Sequence, residues 1–199
     1  TVRMKNTKEA ILDTALHLFA RDGYEAVSVS QIAGSLGMTK GALYRHYKNK
    51  HDIFLHIVRR MEQGDLEQAG DHGMPEESTE KMPEKYRDVS VEALMDYSKA
   101  MFEYWTEDDF ASAFRRMLIL EQFRSEEMQA MYQQYLVSGP AGYVKDLFEA
   151  AGISDAGEKA VRFYSNMFFF YSVYDGAEDK NEAKRRFEHM AAEILKDIG

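Results

Sequence analysis

The sequence contains no cysteine, which excludes disulfides, thiolate nucleophiles and cysteine-based zinc or iron–sulfur sites and agrees with a reducing cytoplasm, the expected location. Proline occurs only 3 times in 199 residues, so little interrupts helices. Long apolar runs are missing too. The longest, around Met167 to Val173, falls far short of the roughly 20 residues that a membrane span needs, and the N-terminus has no apolar signal core. A soluble, unexported protein with no membrane partner is expected. The 6 histidines show no His-Glu-x-x-His or Glu-x-x-His pairing, and there is no phosphate-cradling glycine loop or nucleophile elbow. No metal, cofactor or catalytic residue is nominated, and the chain reads as a non-enzyme. What is plentiful is Met, Leu, Ala, Glu and Lys, a composition that favours an all-α fold.

One absence is local. The chain carries a net charge of −9, yet no acid occurs between Glu25 and Asp52, a window holding Lys40, Arg45, Lys48, Lys50 and His46. Counting Lys and Arg against Asp and Glu, residues 1–64 have 10 − 6 = +4 and residues 65–199 have 15 − 28 = −13. A basic module on an acidic protein is drawn to phosphates while the remainder resists nonspecific sticking. The acidic part by itself reads as a solvated surface.

The basic region is punctuated by helix signals. Thr7 is a candidate cap for a helix with Ile11, Leu12, Ala15, Leu18 and Phe19 on one face and Gly23 as its stop. Ser28 and Gln31 have capping-box spacing ahead of a two-turn helix that buries Ile32, Ala33 and Leu36 and ends at Gly37. Thr39 caps again after only Met38, opening a third helix that carries Leu43 inward and ends near Tyr47. Asn49 and Asp52 start a fourth, with Ile53, Phe54, Ile57, Val58 and Met61 inward to about Gly64. Two short helices joined by a tight Gly-containing turn match a helix-turn-helix unit, whose second helix enters the DNA major groove. A helical hairpin with a solvated basic surface is the alternative.

Over Thr7 to Val58 the run "AILDTALHLFARDGYEAVSVSQIAGSLGMTKGALYRHYKNKHDIF" resembles the TetR family of bacterial transcriptional regulators. The ordered elements are Ile-x-x-x-Ala-x-x-Leu-Phe closing in Gly-Tyr, then Ile-Ala, Gly-Met-Thr-Lys-Gly, and Leu-Tyr-x-His-Tyr-x-x-Lys. Tyr47 stands where the family usually has Phe, and His51 where an acid is common. The resemblance implies that Ser28, Thr39, Tyr44, His46 and Lys50 contact phosphates, and that Lys40, Gly41, Ala42 and Arg45 face base edges. It further implies a homodimer on a palindromic double-stranded operator, most often a repressor. The acid-free window then follows, because acids on a face read by a polyanion would repel it.

After Gly64, glycines, prolines and acids through residues 65–87 read as a linker. Long helical patterns then return at roughly Val91–Thr106, Asp108–Phe123, Glu126–Phe148 with an interruption at Gly139-Pro140, Asp155–Tyr174 and Lys180–Ile198. The expected architecture is an N-terminal helix-turn-helix domain (residues 1–64, including the start of a long connecting helix), the linker, and a helical ligand-binding and dimerisation bundle over residues 88–199. Tyr97, Met101, Trp105, Phe114 and Met117 have the spacing and adaptability of an apolar pocket for a small lipophilic effector, with core packing as the alternative. Glu103 and Glu121 lie nearby in sequence and would attract an amine if turned inward. Phe163, Met167, Phe168, Phe169, Phe170 and Tyr171 exceed what one core-facing stripe requires, which suggests an interface, a plain buried helix being the alternative. The family resemblance adds that the last two long helices pair with their symmetry mates, bringing in Phe187, Met190 and Ile194. A helical enzyme or carrier with an aromatic cavity, and a DNA-independent interaction module, are the competing classes.

Overall fold

The computed structural model describes residues 7–198, and among them the chain is all-α with no strand. In order the helices are α1 (Thr7–Asp22), α2 (Val29–Ser35), α3 (Lys40–Leu43), α4 (Lys50–Asp71), α5 (Pro83–Arg87), α6 (Val91–Glu107), α7 (Asp109–Glu121), α8 (Glu126–Leu136), α9 (Ser138–Ala150), α10 (Ala156–Gly176) and α11 (Lys180–Ile198). They form two compact units. One comprises the chain to Gly64 together with Asp109–Ala130, the other Asp65–Asp108 together with Met131 onward.

In the first unit α1 buries Ile11, Leu12, Ala15, Leu16 and Phe19 along one stripe, so Leu16 takes the place expected for Leu18, which is half-buried. That stripe meets α2 and α7. Ile32, Ala33, Leu43, Ile53, Phe54 and Ile57 complete a core in which each large side chain contributes about 1.5–3 kcal/mol. Arg60 of α4 joins three helices: it donates to Asp13 at 2.6 Å, lies 3.0 Å from Glu9, and stacks 3.8 Å over the Phe110 ring of α7. Tyr47 is buried with its hydroxyl donated to the Lys8 carbonyl at 3.2 Å, and burial pushes its pKa up to about 12. The additional hydroxyl relative to Phe therefore has a partner on α1.

Three boundaries differ from the sequence reading. Regular helix in α3 stops at Leu43, and tighter bonds from Arg45 N–H to the Ala42 carbonyl and from His46 N–H to the Leu43 carbonyl carry the chain to Tyr47. α4 continues past Gly64 to Asp71 before Gly73, with φ of 63°, turns the chain. The α8–α9 break falls at Val137 rather than at Gly139-Pro140, because Pro140 sits in the first turn of α9, where its missing N–H has no helical partner to lose.

In the second unit α10 packs on α6, α9 and α11. Its centre is aromatic: Phe102 stacks on Phe187 at 4.2 Å and on Tyr171 at 5.6 Å between ring centroids. Lys184 of α11 pairs with Glu107 at 2.8 Å and Glu103 at 3.2 Å on α6, and these partners raise its pKa above the ordinary lysine value.

Candidate functional site

Local chemistry shapes the basic surface of the first unit. At α2 the Gln31 N–H donates to Ser28 Oγ at 3.2 Å while the Ser28 N–H donates to Gln31 Oε1 at 2.7 Å, a complete capping box. At α3 the Ala42 N–H donates to Thr39 Oγ1 at 3.1 Å. Between them Gly37 adopts φ of 64°, which lets the chain reverse within the few residues that separate α2 from α3. Asn49 accepts from the Asp52 N–H at 2.8 Å and Asp52 accepts from the Lys48 N–H at 2.8 Å, so the first acid after the basic window serves the start of α4.

The same geometry displays the basic side chains. Leu43 and Tyr47 are buried, while Lys40, Gly41, Tyr44 and Arg45 are exposed and Ala42 and His46 half-buried. Ser28 and Thr39 are exposed beside their caps. Among the described residues Lys40, Arg45 and Lys48 form no ion pair; Lys40 Nζ lies 5.7 Å from the Tyr44 ring centre. Lys50 is different. Its ammonium donates to the Tyr24 carbonyl at 2.7 Å, sits 4.2 Å over the Tyr24 ring and is 3.7 Å from Glu25, so an expected phosphate ligand also holds the α1–α2 turn against α4.

The second unit holds a cavity of about 450 Å³ walled by α4, α6, α8, α9 and α10, within the size range of small-molecule sites. Of the five residues read from the sequence as a pocket, Tyr97, Met101 and Trp105 line it. Phe114 and Met117 do not: both are fully buried on α7, in the other unit, because α7 packs against α1. The two acids proposed from sequence are also elsewhere, Glu103 paired with Lys184 and Glu121 buried in the first unit, where it accepts from the Tyr24 N–H at 3.2 Å. The acids that line the cavity are Asp65 and Glu76, from the stretch read as linker, joined by Tyr143 and Tyr164. No sequence pattern connects these residues, which come from four separate segments.

Residues expected at a subunit seam are divided. Phe163, Met167 and Tyr171 line the cavity; Phe170, Phe187 and Ile194 are buried in the core. Phe168 and Met190 remain exposed, as do Val161 and Phe169. A helix with apolar residues on several faces satisfies more than one neighbour, and the sequence does not rank them. Among the described residues no helix is long and apolar enough to cross a membrane, and no cluster of His, Asp and Glu has the makings of a metal site.

Residues 11–57 match the family described as "Bacterial regulatory proteins, tetR family". The HTH-type transcriptional regulator AcrR of Shigella flexneri is 42% identical over 65 residues, 32% of this chain and 30% of that protein. The HTH-type transcriptional repressor AcnR of Corynebacterium jeikeium is 34% identical over 67 residues, 34% of this chain and 35% of that protein. The alignments thus span about a third of each relative's length. The whole fold is similar to that of a structure described as the SmeT-Triclosan complex, with a TM-score of 0.71 and 18% identity over 96% of this chain and 90% of the other. A tetR-family regulatory protein from Rhodococcus matches with a TM-score of 0.69 and 20% identity over 98% of each chain. The residues that build the capped helix-turn-helix are thus those that match the tetR-family model, and the helical fold as a whole is similar to that of these solved structures.

Proposed function

We propose that the protein is a homodimeric, sequence-specific transcriptional regulator of the cytoplasm, a repressor released from a palindromic double-stranded operator when a small lipophilic effector fills the cavity. The observation that carries this reading is the set of exposed, unpaired cations at Lys40, Arg45 and Lys48 on a helix-turn-helix whose turns are held by local caps. Lys40, Gly41, Ala42 and Arg45 read base edges, and Ser28, Thr39, Tyr44, His46 and Lys50 set position on phosphates. Two recognition helices reach successive major grooves when a two-fold partner holds them one DNA turn apart, and the exposed Val161, Phe168, Phe169 and Met190 on α10 and α11 supply apolar surface for that partner.

Support for the effector comes from the cavity's size and its apolar and aromatic wall, and from the triclosan named for the similar SmeT structure. A ligand weakens DNA binding only by favouring a conformation that binds DNA less well. The test is selection of bound sequences from random DNA by the purified dimer. An enriched palindrome whose affinity falls steeply with salt is expected, with Lys40→Ala or Arg45→Ala losing about 1–3 kcal/mol of base discrimination. A folded dimer that enriches no palindrome overturns the reading. Filling the cavity by Met101→Trp should remove effector response and leave operator binding unchanged.

A further inference from the structure

We infer that the cavity of the second unit selects lipophilic cations, amines or quaternary ammonium ions, over neutral and anionic molecules of similar size. This rests on the reading of that cavity as the effector site. Its lining carries two carboxylates, Asp65 and Glu76, and among the described residues no Lys, Arg or His lines it. An anion entering would face both acids with no cationic side chain to meet it, whereas a cation would be attracted by both.

The wall has matching chemistry. Tyr97, Trp105, Tyr143 and Tyr164 line the same space, and the electron-rich faces of such rings attract cations. Two of the hydroxyls are already committed: Tyr143 donates to the Pro75 carbonyl at 3.0 Å and Tyr164 to the Leu136 carbonyl at 2.9 Å. Those rings are fixed in place and have no proton left to offer an anion. The field of Asp65 reaches Tyr97 and Tyr164, whose phenols are held above the ordinary tyrosine pKa first by burial and further in part by that carboxylate. Glu76 lies against α4 at Gly70, where a Cβ would stand 3.1 Å from its Oε1, so the absence of a side chain there gives this carboxylate its place.

The test titrates the full chain with decyltrimethylammonium, 1-decanol and decyl sulfate, following fluorescence of Trp105, the one tryptophan in the sequence. The cation should bind about tenfold or more tighter than the alcohol, the size of one desolvated charge contact, and the sulfate weakest. Asp65→Asn with Glu76→Gln should erase the preference while alcohol affinity stays within about twofold. Glu76→Gln alone, at an exposed position, should halve the preference or more and covers the case in which the double variant does not fold. Equal binding of all three probes, or a preference that survives in the folded variants, overturns charge selection while leaving the cavity an effector site. If no probe perturbs Trp105 or competes with one that does, the effector-site reading itself fails and takes this inference with it.

Discussion

The ammonium of Lys50 sits 2.7 Å from the carbonyl oxygen of Tyr24 and 4.2 Å above the centre of its ring, tying the start of α4 to the turn that ends α1. With only 22% of the side chain exposed, this cation belongs to the architecture of the unit as well as to its charge. Lys50→Ala should therefore lower unfolding stability by about 1–3 kcal/mol in the absence of DNA, as expected for a charged hydrogen bond plus a cation–π contact. Lys40→Ala, at an exposed position with no ion pair, should leave stability unchanged within about 0.5 kcal/mol. Denaturant titration of both variants checks the contrast, and equal stability would remove the architectural role from Lys50.

Gly23 and Gly34 should respond to alanine with opposite signs. Gly23 has φ of 89° and an added Cβ would come within 2.9 Å of Glu121 Oε1, the atom that accepts from the Tyr24 N–H. Gly23→Ala combines left-handed strain with displacement of a buried carboxylate and should cost about 1–3 kcal/mol. Gly34 lies inside α2 with nothing within 4 Å of an added Cβ, so Gly34→Ala should stabilise by about 0.5–1 kcal/mol. Thermal unfolding of the two variants gives the signs directly.

Phe168 and Phe187 separate surface from core. Phe168 is 36% exposed and Phe187 1%, stacked on Phe102. Phe168→Glu should convert a dimer to monomers at micromolar concentration in light scattering while the helical spectrum is retained. Phe187→Ala should instead reduce stability by about 3–5 kcal/mol. A monomeric unmodified protein would place the seam nowhere on these helices.

Gly139 joins α9 to the cavity wall. An added Cβ would run into the backbone carbonyl oxygen of Gln134, and no side-chain rotation relieves a clash with backbone. Gly139→Ala should cost about 1–3 kcal/mol or more through a forced backbone shift. Because Gln134, Gly139 and Pro140 all line the cavity, probe affinity should change with it. Calorimetric unfolding and Trp105 titration on the same samples test both effects; unchanged values would show that the α8–α9 joint is free to open.

The sequence by itself determined the basic surface and its punctuation. Ser28 with Gln31 and Thr39 with Ala42 are bonds between residues three apart, so the information that makes them is contained in one short stretch, and the order of motifs from Ile11 to Ile57 carries the match to the family model. Helix periodicity likewise located α6, α7, α10 and α11 to within a residue or two. Periodicity states which faces are apolar and is silent on what covers them. Only the tertiary structure decided that α7 with Phe114 and Met117 packs in the first unit, and that Phe163, Met167 and Tyr171 wall a cavity while Phe168 and Met190 stay exposed. It alone brought Asp65 and Glu76 beside Tyr143 and Tyr164, because a site assembled from distant segments depends on how helices dock, and many dockings satisfy the same apolar stripes.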